Sequence, residues 1–269
     1  MKISISALSD AYGLTPEALR YYEEKGLLTP SRAASSGFRK YSLEDVKRLG
    51  IIKSLQRQGF SLEEIRSVLT GCTLSDLTAM MDEKREQMRE QITQASAIYN
   101  RLITGAAMLR DSAALDLQPR LCAGSAAYIV DYDSYHVMWE HVPSSPLLRS
   151  LISALPLTSY CTVVPKAIFL GQDVPFRAGL CAPAECLTAI HADFSLMRMC
   201  AGPRTVRVVY ELSPPERRSI HPAALAARAF LQERSLTPVC DAYTRDYAWY
   251  VGQDGRKHHY CELIIPISD

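Results

Sequence analysis

Apolar residues recur at intervals of three and four through the first seventy residues, a spacing that predicts short helices. The first helix is predicted to end at Gly13. The second begins at Thr15-Pro16-Glu17, which has the order of an N-cap, a first-turn proline and a first-turn acid. Gly26 can supply the left-handed residue that ends it. Its inward face carries Leu19, Tyr22 and Glu23, and its outward face carries Glu17, Arg20, Tyr21 and Glu24.

A short hairpin and two further helices are predicted next. Residues 28–32 and 38–41 have the pattern of two strands around a turn of small residues at 33–37. Ser42 and Ser61 each precede an acidic residue by three positions, which is typical of a capping box at a helix start. Residues 1–72 are therefore predicted to form a helix-turn-helix with a hairpin wing.

One long helix is predicted from Thr73 to about Asp111, where the chain has no proline. About 38 residues at 1.5 Å each extend about 57 Å, which exceeds what a small N-terminal domain can cover. Lys84 interrupts the apolar stripe, and packing within the same chain is the alternative, but the stripe favours a second chain and hence a homodimer. The stripe consists of Leu77, Met81, Met88, Ile92, Ala95, Tyr99, Leu102, Ala106 and Leu109.

After residue 118 the sequence pattern changes to short apolar runs separated by proline, glycine and serine. This pattern predicts a mixed α+β domain over 119–269. No sequence repeat is evident, although the order of the predicted elements is compatible with a duplicated half-domain near residue 190. The predicted strands are 126–130, 160–169, 188–194, 206–212, 247–251 and 260–267, and the predicted helices are 145–155 and 222–233.

Composition is that of a folded chain, with 48% hydrophobic and 22% charged residues among 269. The net charge is +1, and residues 1–75 hold 11 Lys+Arg against 8 Asp+Glu, so contacts with phosphates depend on where the charges sit. There is no export signal or apolar run of about 18 residues, so we expect a cytoplasmic protein without a membrane partner. The eight cysteines lack metal-ligand spacing and are expected to be reduced thiols.

Side chains suited to DNA contact cluster on the second helix and around the wing. Guanidinium groups offer a fixed fork of donors to phosphates, and hydroxyl groups add further donors. About six phosphate contacts per protomer would make binding fall steeply with added salt. The candidates are Thr15, Glu17, Arg20, Tyr21, Arg39, Lys40, Tyr41 and Lys53.

A series of motifs keeps one register through this region: Leu14-Thr15, Ala18-Leu19-Arg20-Tyr21-Tyr22-Glu23, Gly26-Leu27-Leu28, Pro30, Arg32, Phe38-Arg39-Lys40-Tyr41-Ser42 and Gly59-Phe60-Ser61-Leu62-Glu63-Glu64-Ile65. Over residues 3–110 the chain resembles the MerR family of bacterial transcription regulators. The resemblance implies a winged helix-turn-helix over 1–72 and an antiparallel coiled coil over 73–112. It also implies double-stranded promoter DNA and RNA polymerase holoenzyme as partners. Activation would follow when an effector makes the dimer bend and untwist an overlong promoter spacer, where smooth bending costs about 1 to 6 kcal/mol.

Glu262 is a carboxylate inside a run that otherwise has the pattern of a buried strand. Burying it without compensation costs several kcal/mol, so the side chain is expected to be exposed, protonated, hydrogen-bonded or available to a cation. Strand alternation places it beside aromatic residues of the preceding strand, a combination that suits a bulky hydrophobic cation. The predicted ligand-binding residues are Glu262, Trp249, Tyr260, Tyr247, Trp139, Tyr135, Phe169 and Ile264.

The tail motif Glu262-Leu263-x-Ile265-Pro266-Ile267 also resembles the closing strand of gyrase-inhibitor-like effector domains in the multidrug-sensing branch of the MerR family. That resemblance implies an effector pocket between two βαββ halves with Glu262 inside. The alternatives are a metal- or redox-responsive regulator, which Cys72 partly fits, a fused hydrolase domain, and a constitutive repressor whose C-terminal domain binds proteins. Since no nucleophile motif or phosphate loop is present, we expect neither an enzyme nor a cofactor or metal.

Overall fold

The structure, a computed structural model, describes residues 3–32, 37–212 and 222–268. The chain divides into two compact units, residues 1–91 and 92–269. The α+β class predicted from the sequence is confirmed. Most of the predicted wing tip, residues 33–36, lies outside the described residues. None of the described helices is long and apolar enough to cross a membrane.

The first unit contains four short helices and a three-stranded sheet in the order β1-β3-β2. Its core is formed by apolar side chains from all four helices, including Leu8, Leu19, Leu49 and Ile65. The sequence did not predict β1, whose two residues are too few to show a pattern. The elements are β1 (Ile3–Ser4), α1 (Ile5–Tyr12), α2 (Pro16–Glu24), β2 (Ser31–Arg32), β3 (Arg39–Tyr41), α3 (Leu43–Arg57) and α4 (Leu62–Thr70).

Side-chain caps start the helices where the sequence predicts them. Thr15 accepts a hydrogen bond from the N–H of Ala18 at the start of α2. Ser42 and Ser61 each form a complete capping box, at α3 and α4. Gly26 has a φ of +71°, in the left-handed region that glycine tolerates best.

Helix α5 (Leu74–Leu115) is longer than predicted and presents two faces. Met81 and Met88 of the apolar stripe are exposed, and so are Tyr99 and Leu102, at 64% and 67%. Lys84, which interrupts the stripe, forms an ion pair with Glu64 at 2.8 Å.

The other face of α5 packs within the second unit. Ala97 and Ile98 join an apolar cluster there, Arg101 donates a hydrogen bond to Ser159, and Gly105 lies beside the ring of Tyr247. The part of α5 in the second unit therefore carries one packed face and one exposed apolar face.

The second unit is a closed barrel with the strand order β4-β6-β5-β8-β9-β7. It consists of two βαββ halves, each with its third strand between its first and second. The elements are β4 (Arg120–Tyr132), α6 (Tyr135–His141), α7 (Pro146–Ser153), β5 (Ser159–Val164), α8 (Lys166–Phe169), β6 (Arg177–Pro183), β7 (Arg198–Glu211), α9 (Pro222–Glu233), β8 (Ala242–Val251) and β9 (Lys257–Ile267).

Two predicted strands are wrong in whole or in part. Residues 188–194 lie in and between two 3-10 helices, Ala184–Ala189 and Phe194–Leu196, and the Asp193 carboxylate accepts the N–H of Ser195 at the start of the second. The strand predicted over 160–169 ends at Val164 because Pro165 precedes α8, so Phe169 is helical.

Strand β6 was missed because its small residues carry a weak strand signal. Gly179 is required there, since a Cβ at this position would lie 2.2 Å from the carbonyl oxygen of Val130 on β4. The close approach of β4 and β6 thus depends on Gly179, although a glycine in the sequence suggests a loop rather than a strand.

Candidate functional site

The candidate DNA-binding side chains of α2 lie at the surface of the first unit. Arg20 and Tyr21 are exposed, and Arg20 pairs with Glu17 at 3.1 Å across one helical turn. Such an exposed pair contributes little to stability, so Arg20 can exchange it for a phosphate at low cost. Lys40 on β3 and Lys53 on α3 are partly exposed.

Glu23 organises the wing, a role that sequence reasoning missed. Its carboxylate accepts the Nε–H of Arg39 at 2.8 and 3.0 Å and the hydroxyl of Tyr41 at 2.6 Å. The hydrogen bond to Glu23 raises the pKa of Arg39, and burial together with Glu23 raises the pKa of Tyr41. The only sequence signal was the position of Glu23 on the inward face of α2.

The structure contradicts the predicted phosphate contact through the Tyr41 hydroxyl, because the Tyr41 side chain is buried. Tyr41 is 0% exposed and donates its hydroxyl hydrogen to Glu23. A fully buried aromatic side chain is part of the core, and here it anchors β3 to α2. Arg39 shares this anchor and is only partly exposed.

A cavity of about 400 Å³ lies in the second unit between α5 and the barrel. Its size is within the range of small-molecule sites. Its walls combine apolar and aromatic groups with three guanidinium groups: Ile98, Leu102, Pro156, Tyr243, Tyr247, Arg101, Arg207 and Arg245.

Glu262 is buried next to this cavity and is surrounded by donors. Tyr247 donates its hydroxyl hydrogen to the carboxylate at 2.8 Å. The nearest guanidinium nitrogens of Arg245, Arg207 and Arg120 lie at 3.4, 3.7 and 3.7 Å. Of the states that the sequence left open for this carboxylate, the structure shows a buried one. The cost of burial is offset by three nearby guanidinium groups and a hydroxyl group, while Oε1 makes no hydrogen bond to a described residue.

Two cavity residues have pKa values shifted by this cluster. Burial, and then the charge of Glu262, raises the pKa of Tyr247, which keeps its hydroxyl protonated. Burial opposes the charged form of Arg245, but Tyr247 and Glu262 more than offset it and raise the pKa of Arg245. The cluster therefore presents a fixed cation and a fixed hydrogen-bond donor.

A β-bulge separates Tyr247 from its predicted face partner Trp249. Arg245 pairs with Glu262, but the register shifts between Asp246 and Ala248, so Trp249 pairs with His259. Successive residues of a strand face opposite sides, so His259 and its partner Trp249 lie on the face away from Glu262, where Trp249 is exposed. A bulge leaves no distinct trace in the sequence, and simple alternation placed Trp249 incorrectly.

The remaining predicted ligand residues are dispersed. Ile264 lies in the barrel core with Tyr243, and Phe169 packs against the cluster that includes α9. Tyr260 stacks with Tyr250. Tyr135 and Trp139 are on α6, where Tyr135 donates to the carbonyl oxygen of Cys161. Of the eight predicted residues, the structure brings Tyr247 to the cavity and Glu262 directly behind it.

Sequence reasoning missed the three cavity arginines. Arg207 lies between Val206 and Val208 on β7, and Arg245 precedes Tyr247 by two positions on β8. An arginine within an otherwise apolar strand carries the same signal as Glu262. Pairing such residues across strands would have found the cluster.

Asp246, His259 and Cys261 form the one set of three potential metal ligands found in the described part of the chain, with ligand atoms within 4.8 Å of one another. The hydrogen bond from His259 to Asp246 raises the pKa of His259, and burial raises the pKa of Cys261. Both shifts favour the protonated groups over metal ligation. Three ligands are also one fewer than a structural zinc site uses.

Comparison with known proteins identifies the first part of the chain. Residues 3–72 match the family described as MerR HTH family regulatory protein, and residues 46–104 match the family described as MerR, DNA binding. The HTH-type transcriptional regulator ZntR homolog of Haemophilus influenzae is 31% identical over 106 residues, which are 38% of this chain and 78% of that protein. The chain belongs to the MerR family of DNA-binding transcription regulators.

Other similar proteins differ in length or share little sequence. Nodulation protein NolA of Bradyrhizobium elkanii is 36% identical over 98 residues, which are 36% of this chain and 44% of NolA, so the match spans less than half of that relative. A cryo-EM structure of an EcmrR–DNA complex aligns with 99% of this chain and 99% of its own, at 16% identity and a TM-score of 0.35. The family description of residues 3–72 and the name of the ZntR homolog are those of regulators rather than enzymes.

Proposed function

We propose that this chain is a homodimeric transcription activator that binds promoter DNA through its first unit and a bulky organic effector in the barrel cavity. The observation that carries the proposal is the double use of α5. Residues 97, 98, 100, 101, 102, 104 and 105 of this helix line the cavity. The stripe residues Met81, Met88, Ile92 and Tyr99 are exposed and do not line it, while Leu102 belongs to both sets. One helix thus contacts the effector on one side and offers a dimerisation surface on the other.

A second copy of the chain is the occupant that fits the exposed stripe. The stripe recurs at intervals typical of helix pairing, and large exposed residues such as Ile92 and Tyr99 gain from burial against another apolar helix. The family resemblance supports an antiparallel pair. An effector that shifts α5 would then act on both protomers and change the DNA bound between them.

Promoter distortion is the proposed output. A dimer that bends and untwists its site uses the difference in effector affinity between two conformations, because a ligand shifts an equilibrium only by that difference. RNA polymerase holoenzyme is the proposed second partner.

The cavity walls support an effector with a large apolar body. Ile98, Leu102, Pro156 and the rings of Tyr243 and Tyr247 supply apolar contact. The cationic charge expected from the sequence depended on Glu262 as the available partner, and this carboxylate is already surrounded by arginines.

A blocked cavity tests this proposal. A Cβ at Gly105 would meet the Tyr247 ring at 3.8 Å, an ordinary contact, so Gly105→Ala leaves the cavity open while Gly105→Leu fills it. We expect the neutral probe 2-(1-naphthyl)ethanol to bind wild type and Gly105→Ala in isothermal titration calorimetry, and to bind Gly105→Leu at least about tenfold more weakly, a loss of about 1.4 kcal/mol. Equal binding by all three proteins would contradict a guest site here.

A further inference from the structure

The two ends of the barrel differ in charge balance. In one cluster, Arg177 and Arg198 each bond to both Asp131 and Asp241, at distances from 2.7 to 3.1 Å. Two cations meet two carboxylates, so that cluster is neutral. Each of these partly exposed arginines is matched by a carboxylate.

The cluster at the cavity is not balanced. Arg120, Arg207 and Arg245 share the single carboxylate of Glu262. Glu185 adds one contact to Arg245 at 3.6 Å, but its side chain is 67% exposed. Arg101 lines the same cavity and is hydrogen-bonded to Ser159, without a carboxylate partner in the described part of the chain.

The remaining acidic residue of the cavity wall does not correct this imbalance. The carboxylate of Asp246 contacts His259 Nε2 and Cys261 Sγ, both at 3.3 Å. Asp246 pairs with Cys261 and Arg245 pairs with Glu262, so their side chains lie on opposite faces of the sheet. The Asp246 side chain therefore lies on the face of the sheet opposite Arg245 and Glu262.

The order of groups also favours a negative guest. Arg207, Arg245 and Tyr247 line the cavity, while the Glu262 side chain is 1% exposed behind them. A guest meets guanidinium and hydroxyl donors before it meets a carboxylate.

We propose that the effector of this chain is an organic acid, an apolar body bearing a carboxylate that Arg101, Arg207 and Arg245 bind. The cavity walls hold the apolar body, and Glu262 holds the arginines in place and limits their excess charge. This inference rests on the proposed effector cavity and reverses the sign of the charge expected from the sequence.

Three probes of one shape test the inference: naphthalene-1-acetate, the neutral 2-(1-naphthyl)ethanol and the cationic 2-(1-naphthyl)ethylammonium. In calorimetry at pH 7 we expect the carboxylate to bind wild type at least about tenfold more tightly than either analogue, as charge-assisted hydrogen bonds require. Tighter binding of the ammonium or the alcohol would overturn the inference while leaving the cavity as a guest site. No binding by any probe would overturn both.

Variants that are expected to change the affinity for naphthalene-1-acetate in opposite directions make the test specific. Arg101→Gln and Arg245→Gln should each lower the affinity for naphthalene-1-acetate about tenfold and change the affinity for the alcohol by less than about threefold. Glu262→Gln should raise the affinity for naphthalene-1-acetate, because it removes the competing negative charge.

The exposed substitution Arg234→Gln is the control for overall charge and should change neither affinity. Arg101 lies outside the Glu262 cluster, so Arg101→Gln keeps the test valid if Arg245→Gln fails to fold. Unchanged or weaker carboxylate binding by Glu262→Gln, or unchanged binding by Arg101→Gln, would contradict the assignment.

Discussion

Glu262→Leu is expected to lower the free energy of unfolding of the second unit by about 3 to 5 kcal/mol, the usual cost of removing one partner of a buried ion pair. The reason is that Arg207 and Arg245 would keep their charges in a largely buried site without the carboxylate that offsets them. Both tryptophans, Trp139 and Trp249, belong to this unit. Urea denaturation followed by tryptophan fluorescence therefore reports on it selectively.

Two variants control this measurement. Glu262→Gln keeps an acceptor for the Tyr247 hydroxyl and should cost less than Glu262→Leu. Glu233→Leu removes an exposed ion pair with Arg234 and should change stability by less than about 1 kcal/mol. A Glu262→Leu protein as stable as the Glu233→Leu protein would show that the arginine cluster does not depend on this carboxylate.

Operator affinity is expected to fall at least about 10³-fold between 50 and 200 mM salt, because about six phosphate contacts per protomer release bound counterions. Arg20→Ala should reduce the slope of log affinity against log salt by about one per protomer. Fluorescence anisotropy with a duplex selected from a random pool by the purified protein measures both quantities.

Tyr41→Phe separates a phosphate contact from a positioning role in the same assay. Tyr41 is buried and bonds to Glu23, so its loss should weaken affinity through the wing without changing the salt slope. Arg256→Ala, in the exposed turn between β8 and β9, should leave both quantities unchanged. A reduced slope for Tyr41→Phe, or an unchanged slope for Arg20→Ala, would contradict these assignments.

The first unit could be predicted well because its signals are local. Thr15, Ser42 and Ser61 cap helices through hydrogen bonds to residues three positions away, so the pattern and the contact coincide in the sequence. Lys84 interrupts the apolar stripe of α5, and its ion pair with Glu64, twenty positions earlier, accounts for a charged residue at this position.

The effector cavity could be predicted only in part because its chemistry depends on pairing between distant strands. The strand of Glu262 alone predicted that this carboxylate needs a partner if it is buried, because an unpaired carboxylate in an apolar environment is costly. The identity of that partner did not follow, because Arg120 and Arg207 reach Glu262 from strands far away in sequence. Aromatic neighbours were expected instead, and the bulge at Tyr247 then moved Trp249 to the other face.

The central claim is that occupancy of the barrel cavity and the state of the bound DNA are coupled. The affinity for naphthalene-1-acetate, measured by calorimetry with and without a saturating selected duplex, tests it most directly. Coupling is reciprocal, so the account predicts that DNA changes this affinity by about fivefold or more. Equal affinities in the two states, with binding still lost in Gly105→Leu, would show a guest site that does not communicate with DNA and would contradict the account.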